Sequence, residues 1–200
     1  MKNQGNKGLK SRELIIETAI KLISKNGFFQ TSIQNIAIEC GLSQSAVFHH
    51  FKDKTILFEG VLMYVVGKNH EKVTASLLSK DGALERLQKH FEENLKWAKE
   101  NPDQAKMIIL LYYMATYEPI LVDINDRITS LGKARVTEYV YAGIREGVFQ
   151  KNLAAEKAGE VIHQWLVGAI LQTVTLKTPT NNPLPEFRKS YQLLLRNFRA

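Results

Sequence analysis

Apolar residues recur along this 200-residue chain at helical spacing, and no long segment shows the strict alternation of a half-buried strand. Ile15, Ala19, Leu22 and Ile23 fall at i, i+4, i+7 and i+8, behind Ser11 as an N-cap and ahead of a stop at Asn26-Gly27. Thr31-Ser32-Ile33-Gln34 then offers a T-x-x-Q capping box, in which the Thr31 hydroxyl and the Gln34 side chain satisfy free amides at a helix start. A helix from Thr55 to about Ser79 is broken at Asp81-Gly82, and Leu84, Leu87, Phe91, Leu95 and Ala98 make a stripe that ends at Asn101-Pro102. Pro102 opens a helix through Tyr117 whose centre, MIILLYYMA, is apolar all round. That composition predicts a surrounded helix in the middle of the larger part of the chain. Beyond Pro119 a long segment runs to a C-cap near Gly147, and Ala154 to Leu176 follows. After the loop TPTNNPLP, Pro185 to Phe198 carries a last stripe at Phe187, Tyr191, Leu194, Leu195 and Phe198. The pattern predicts an all-α chain.

Within it, Ile33 to Lys52 has the punctuation of a helix-turn-helix. Ile36, Ala37 and Cys40 give a short helix its apolar face, and Gly41 stands where the chain must turn through a left-handed conformation. Ser43 is an N-cap for the next helix, with Leu42 before it able to pack on Val47 as a hydrophobic staple. Ala37 and Val47 can both face the crossing of the two helices, as that tight motif requires. Such a motif lays its second helix in the major groove. Val47 and Phe51 face inward, which leaves Ser45 and His49 on the opposite side, Gln44 at the tip and Ala46 near the edge. Gln bridges adenine, Ser and His donate or accept with several bases, and Ala offers a methyl-sized contact. Phosphate contacts would come from Lys52 and Lys54 behind the helix and from the amides and hydroxyls of Thr31 and Ser32 before it.

Charge strengthens this reading. There are 27 Lys plus Arg against 20 Asp plus Glu, a net charge of +7. More than half of the excess lies before residue 55, which points to a polyanionic partner such as double-stranded DNA. Residues 1–10, rich in Lys, Asn and Gly, are expected to be a flexible basic arm, either a solvated tail or a contact to DNA phosphates or a minor groove. Residues 11–54 would be the helix-turn-helix domain and 55–200 a larger helical domain. Cys40 is the single cysteine, so there is no internal disulfide and no cysteine cluster for zinc. With no secretory segment and no apolar run near 20 residues, a cytoplasmic protein without membrane association is expected.

Enzyme chemistry is not expected. His49 and His50 are adjacent and diverge by about 100 degrees on a helix, so they cannot share a metal. There is no H-x-x-x-H, G-x-S-x-G, P-loop or dinucleotide turn, and no cofactor or metal site is predicted.

From about Arg12 to Leu57 the chain resembles the TetR family of bacterial transcriptional regulators. The resemblance rests on AIKLISKNGF, TSIQNIAIECGLSQSAVFHHF and KDKTILF. It implies that Gln44, Ser45, Ala46 and His49 face bases and that Thr31, Ser32, His50 and Lys54 hold the backbone. The family commonly has tyrosine where this chain has Phe48, so a phosphate contact through a phenol is missing there. The rest of the chain is similar to the family in length and helical layout. That implies a homodimer through the last two helices, for which Gly168, Ala169, Tyr191, Leu194, Leu195 and Phe198 are candidates. It also implies a small apolar or amphipathic effector in the larger domain, with Met63, Phe91, Tyr112, Tyr113, Tyr117, His163 and Trp165 as candidate lining. The function implied is a ligand-responsive repressor on a near-palindromic operator. The alternatives are a helical carrier or enzyme with an incidental basic N-terminal domain, and an effector-independent activator or architectural factor.

Overall fold

The computed structural model describes residues 2–176 and 184–200, with side chains from residue 8 onward. Among these residues the chain is helical throughout: α1 (Lys2–Asn26), α2 (Ile33–Cys40), α3 (Gln44–His50), α4 (Lys54–Ala75), α5 (Ala83–Glu100), α6 (Pro102–Met114), α7 (Pro119–Arg145), α8 (Ala155–Thr175) and α9 (Leu184–Arg196). The expected all-α fold is what forms. The head of the loop before α9 lies in 177–183, outside the described residues.

Residues 1–67 and 103–121 make one compact unit, and 68–102 with 122–200 make the other. This division cuts across the expected boundary after residue 54. In the first unit, Ile15, Ile16, Ala19, Ile20 and Ile23 of α1 are buried with Ile33, Ile36 and Ala37 of α2, Val47 of α3, and Phe58, Val61 and Leu62 of α4. Two expectations fail here. α1 continues back to Lys2 instead of starting at Ser11, so residues 2–10 are helical in backbone and not an irregular arm. No proline stands in the way, and once the buried turns around Ile15 exist, each further residue adds a hydrogen bond at little extra cost. The apolar α6 also belongs to this unit, not to the larger remainder. Ala105, Met107, Leu111 and Met114 are its buried face, while Tyr113 is exposed, and Ser24 of α1 donates to Asp103 at its start, 2.5 Å away. An apolar helix must be covered, but its sequence does not say by which neighbours.

In the second unit, α5 packs on α8 and α9. Phe91 stacks on Tyr191 with ring centres 4.5 Å apart, and Trp165 closes on both rings at 4.7 and 5.7 Å. The corner before α5 is built by Asp81, whose buried carboxylate accepts the Leu78 amide and the Lys89 ammonium. α7 and α8 approach closely enough that a Cβ on Gly159 would lie 2.1 Å from Thr137 Oγ1. The C-terminus is tied down by an isolated antiparallel bridge, Phe149 to Arg199, with Gln150 N–H donating to the Phe198 carbonyl.

Candidate nucleic-acid interface

α2 begins one residue later in its cap than the spacing predicts. Ser32, not Thr31, is the N-cap: its Oγ accepts the Asn35 amide and the Asn35 side chain accepts the Ser32 amide, a capping box built from Ser and Asn. Thr31 is fully buried and its hydroxyl donates to the Gly27 carbonyl at 2.8 Å, so that side chain is not presented to a phosphate. A hydroxyl sheltered from water takes the nearest carbonyl of the preceding helix end. Gly41 then turns the chain with φ 65° and ψ 30°, the left-handed conformation, and hands the Leu42 amide to the Ala37 carbonyl.

Ser43 caps α3 as expected, its Oγ accepting the Ala46 amide at 3.2 Å. Val47 and Phe51 are buried beneath, so the opposite side of α3 is open. Gln44, Ser45, Phe48 and His49 are exposed and fall at i, i+1, i+4 and i+5, one continuous stripe; Ala46 is half-buried at its margin. Phe48, at 44% exposed, therefore stands among the candidate readers and does not pack into the core. Nothing in the spacing marked it, because an aromatic residue at that position suits either side of a short helix.

The flanks are cationic with differing freedom. Lys52 is exposed. Lys54 donates to the Phe28 carbonyl and lies 4.1 Å over the Phe28 ring; burial lowers its pKa. It is thereby committed first to closing α4 onto the end of α1. Asp53 accepts the Ile56 amide and caps that helix. His50 is half-buried, its pKa lowered mainly by burial and further by the charges of His49 and Arg12. Arg12 stacks its guanidinium 5.0 Å over Phe51, which adds an exposed cation to this face that only the packing of α1 on α3 and α4 reveals.

The other candidate residues are divided between the two units. Met63, Tyr113 and Tyr117 are exposed side chains of the first unit, where Tyr112 is half-buried. Phe91, His163 and Trp165 belong to the second, where Tyr191 and Phe187 occupy the aromatic faces of Phe91 and Trp165. Of the dimer candidates, Ala169, Tyr191 and Leu195 are buried within this chain; Leu194 and Phe198 are half-buried, and only Gly168 faces open space. A stripe at helical spacing must be covered, and here its own chain covers most of it. Among the described residues no helix is long and apolar enough to cross a membrane.

The chain is 38% identical over 88 residues to the uncharacterized HTH-type transcriptional regulator YerO of Bacillus subtilis (strain 168), covering 41% of this chain and 30% of that protein. The chain spans less than a third of the first two curated relatives that it matches. A longer alignment, 25% identical over 162 residues, covers 78% of this chain and 83% of nucleoid occlusion factor SlmA of Vibrio cholerae serotype O1. A TetR transcription regulator from Haloarcula marismortui ATCC 43049 shares the fold with a TM-score of 0.83 at 21% identity, over 96% of this chain and 99% of that one. Residues 15–61, which contain the capped α2, the Gly41 turn and α3, match the family model described as bacterial regulatory proteins, tetR family.

Proposed function

We propose that this protein is a transcriptional repressor that binds a near-palindromic DNA operator as a homodimer and changes its affinity when a small molecule enters its second unit. The observation that carries the DNA-binding part is the exposed stripe of Gln44, Ser45, Phe48 and His49, held outward by the buried Val47 and the left-handed Gly41. Gln44, Ser45 and His49 are exposed and capable of direct base contact, while Lys52, Arg12 and the rim of His50 supply the phosphate-facing side. Ser32 contributes by its position at the head of α2. Dimerisation is supported by Val161, Gly168 and Leu171 at i, i+7 and i+10 on α8: Val161 and Leu171 are exposed, and a Cβ on Gly168 would meet no described atom within 4 Å. A two-fold site on DNA needs two copies of one reading head.

Selection of binders from random duplexes, read by gel shift, tests this reading. It predicts an inverted repeat and an affinity that falls steeply with salt; binding indifferent to sequence would sink it. A second reading, a DNA-binding factor that answers to no effector, draws on the long alignment with a nucleoid occlusion factor. Its signature is operator affinity that no small molecule shifts.

A further inference from the structure

The second unit contains a convergence of polar groups that the DNA-binding face does not use. Along α7, Asn125, Thr129, Gly132, Arg135 and Tyr139 fall at i, i+4, i+7, i+10 and i+14, a single stripe. His163 of α8 reaches that stripe at Gly132, where a Cβ would lie 2.3 Å from the imidazole Cε1. His90 of α5 reaches it at Tyr139, ring centre to ring centre 5.7 Å. His90 is 5% exposed, and among the described residues its Nδ1 has no hydrogen-bond partner. Asn125 Oδ1, Thr129 Oγ1 and His163 Nε2 are also buried without partners among the described residues. Folded proteins leave few such atoms unpaired, and each orphan calls for an explanation. Four of them, brought from three helices to one stripe, point to something that is bound there.

The charge of the surroundings gives its sign. Arg135 is half-buried, and among the described residues it has no carboxylate partner. Lys133 shares its helix, and His70 of α4 feels the same guanidinium; Glu71 acts on His70, which is exposed. Arg86 adds its field at Tyr139. We propose that the second unit binds a small organic carboxylate, paired to Arg135 and hydrogen-bonded by His90 and His163. This rests on the effector reading above and names the chemical class of the effector. A carboxylate brings lone pairs for the guanidinium fork and for one N–H from each imidazole. Burial, with Arg135 nearby, holds His90 down to about 3 and His163 down to about 4, so both are neutral at pH 7 and each has one N–H to give. Ordered water could satisfy the orphaned atoms but would leave the arginine charge uncompensated.

Calorimetric titration of the full chain with octanoate and benzoate, against octanol, benzyl alcohol and octyltrimethylammonium, tests the assignment. The carboxylates are expected to bind at least about tenfold more tightly than their alcohols, with the ammonium ion weakest. Arg135→Gln should abolish that preference and leave the alcohols where they were, whereas Arg135→Lys should keep part of it. Thermal unfolding separates this from a structural role: removing an unpaired, desolvated cation should leave melting unchanged or raised. Alcohols that bind as well as carboxylates, a preference that survives Arg135→Gln, or a preferred ammonium ion would each overturn the proposal while leaving an effector site standing. Failure of all three ligand classes would overturn the effector reading together with it. The selectivity of the unaltered chain decides the matter even if the glutamine variant does not fold.

Discussion

Gln44 and Phe48 differ in chemistry but occupy successive turns of the same exposed stripe, so their roles separate by the shape of their losses. Gln44→Ala is expected to weaken operator binding by about 1–3 kcal/mol and to relax preference at one base position; a uniform loss over all positions in a binding-site selection would make it a backbone contact. Phe48→Tyr restores the phenol that the family commonly carries, and should raise affinity for operator and non-operator duplexes alike. Thr31 illustrates how one residue of register changes a role. The sequence pattern makes Thr31 the cap of α2, with Gln34 as its partner; in the fold Thr31 is buried against Gly27 and Ser32 is the cap. Thr31→Val should therefore cost about 1 kcal/mol of folding stability in denaturant unfolding and leave the DNA affinity of the folded protein unchanged. The turn itself is a further check: Gly41→Ala meets no atom within 4 Å, yet φ 65° alone should cost about 1 kcal/mol.

Among the elements, α8 carries two kinds of glycine that the sequence does not distinguish. Gly159 sits where α7 approaches, and an added Cβ would also come within 3.1 Å of the Thr137 Cα, which cannot swing aside. Gly159→Ala is expected to destabilise the chain by about 1–3 kcal/mol in thermal or denaturant unfolding. A Cβ on Gly168 would meet nothing within 4 Å among the described residues, so Gly168→Arg should leave the protomer folded but, if α8 forms the proposed dimer face, convert dimer to monomer by light scattering and abolish operator binding. A Gly168→Arg protein that remains dimeric and binds DNA would place the dimer face elsewhere. The sequence offers Gly168 and Ala169 together as dimer-face candidates. Ala169 is buried in its own core instead, because adjacent residues on a helix diverge by about 100 degrees and only one can face a given neighbour.

For the whole molecule, the buried histidines set a pH dependence of stability. His90 and His163 have folded pKa values depressed to about 3 and about 4 from 6.5, chiefly by burial. The unfolded chain takes up protons that the folded chain refuses, so stability is full above pH 6.5 and is lost as pH falls toward those folded values. By pH 5 the loss should be of the order of 2 kcal/mol per histidine, readable as a falling melting temperature. A carboxylate bound at Arg135 would favour the protonated imidazoles and flatten that fall. Replacing His90 by Asn should reduce the pH dependence whether or not a ligand is present.

By itself the sequence determined that the chain is helical, where most helices stop, and that Ile33 to Lys52 turns at Gly41 with Ser43 as the second cap. Those features are local: helical period, capping and a left-handed glycine are decided within a few residues. It determined also that several apolar stripes had to be covered. Only the tertiary structure decided by what. It gave α6 to the unit of α1 to α3, folded Tyr191 and Leu195 into the chain's own core, and set Phe48 among the exposed side chains of α3. It also brought His90, Arg135 and His163 together from three helices. Burial is non-directional, so a pattern of apolar positions records the need for a partner surface and carries nothing of its identity.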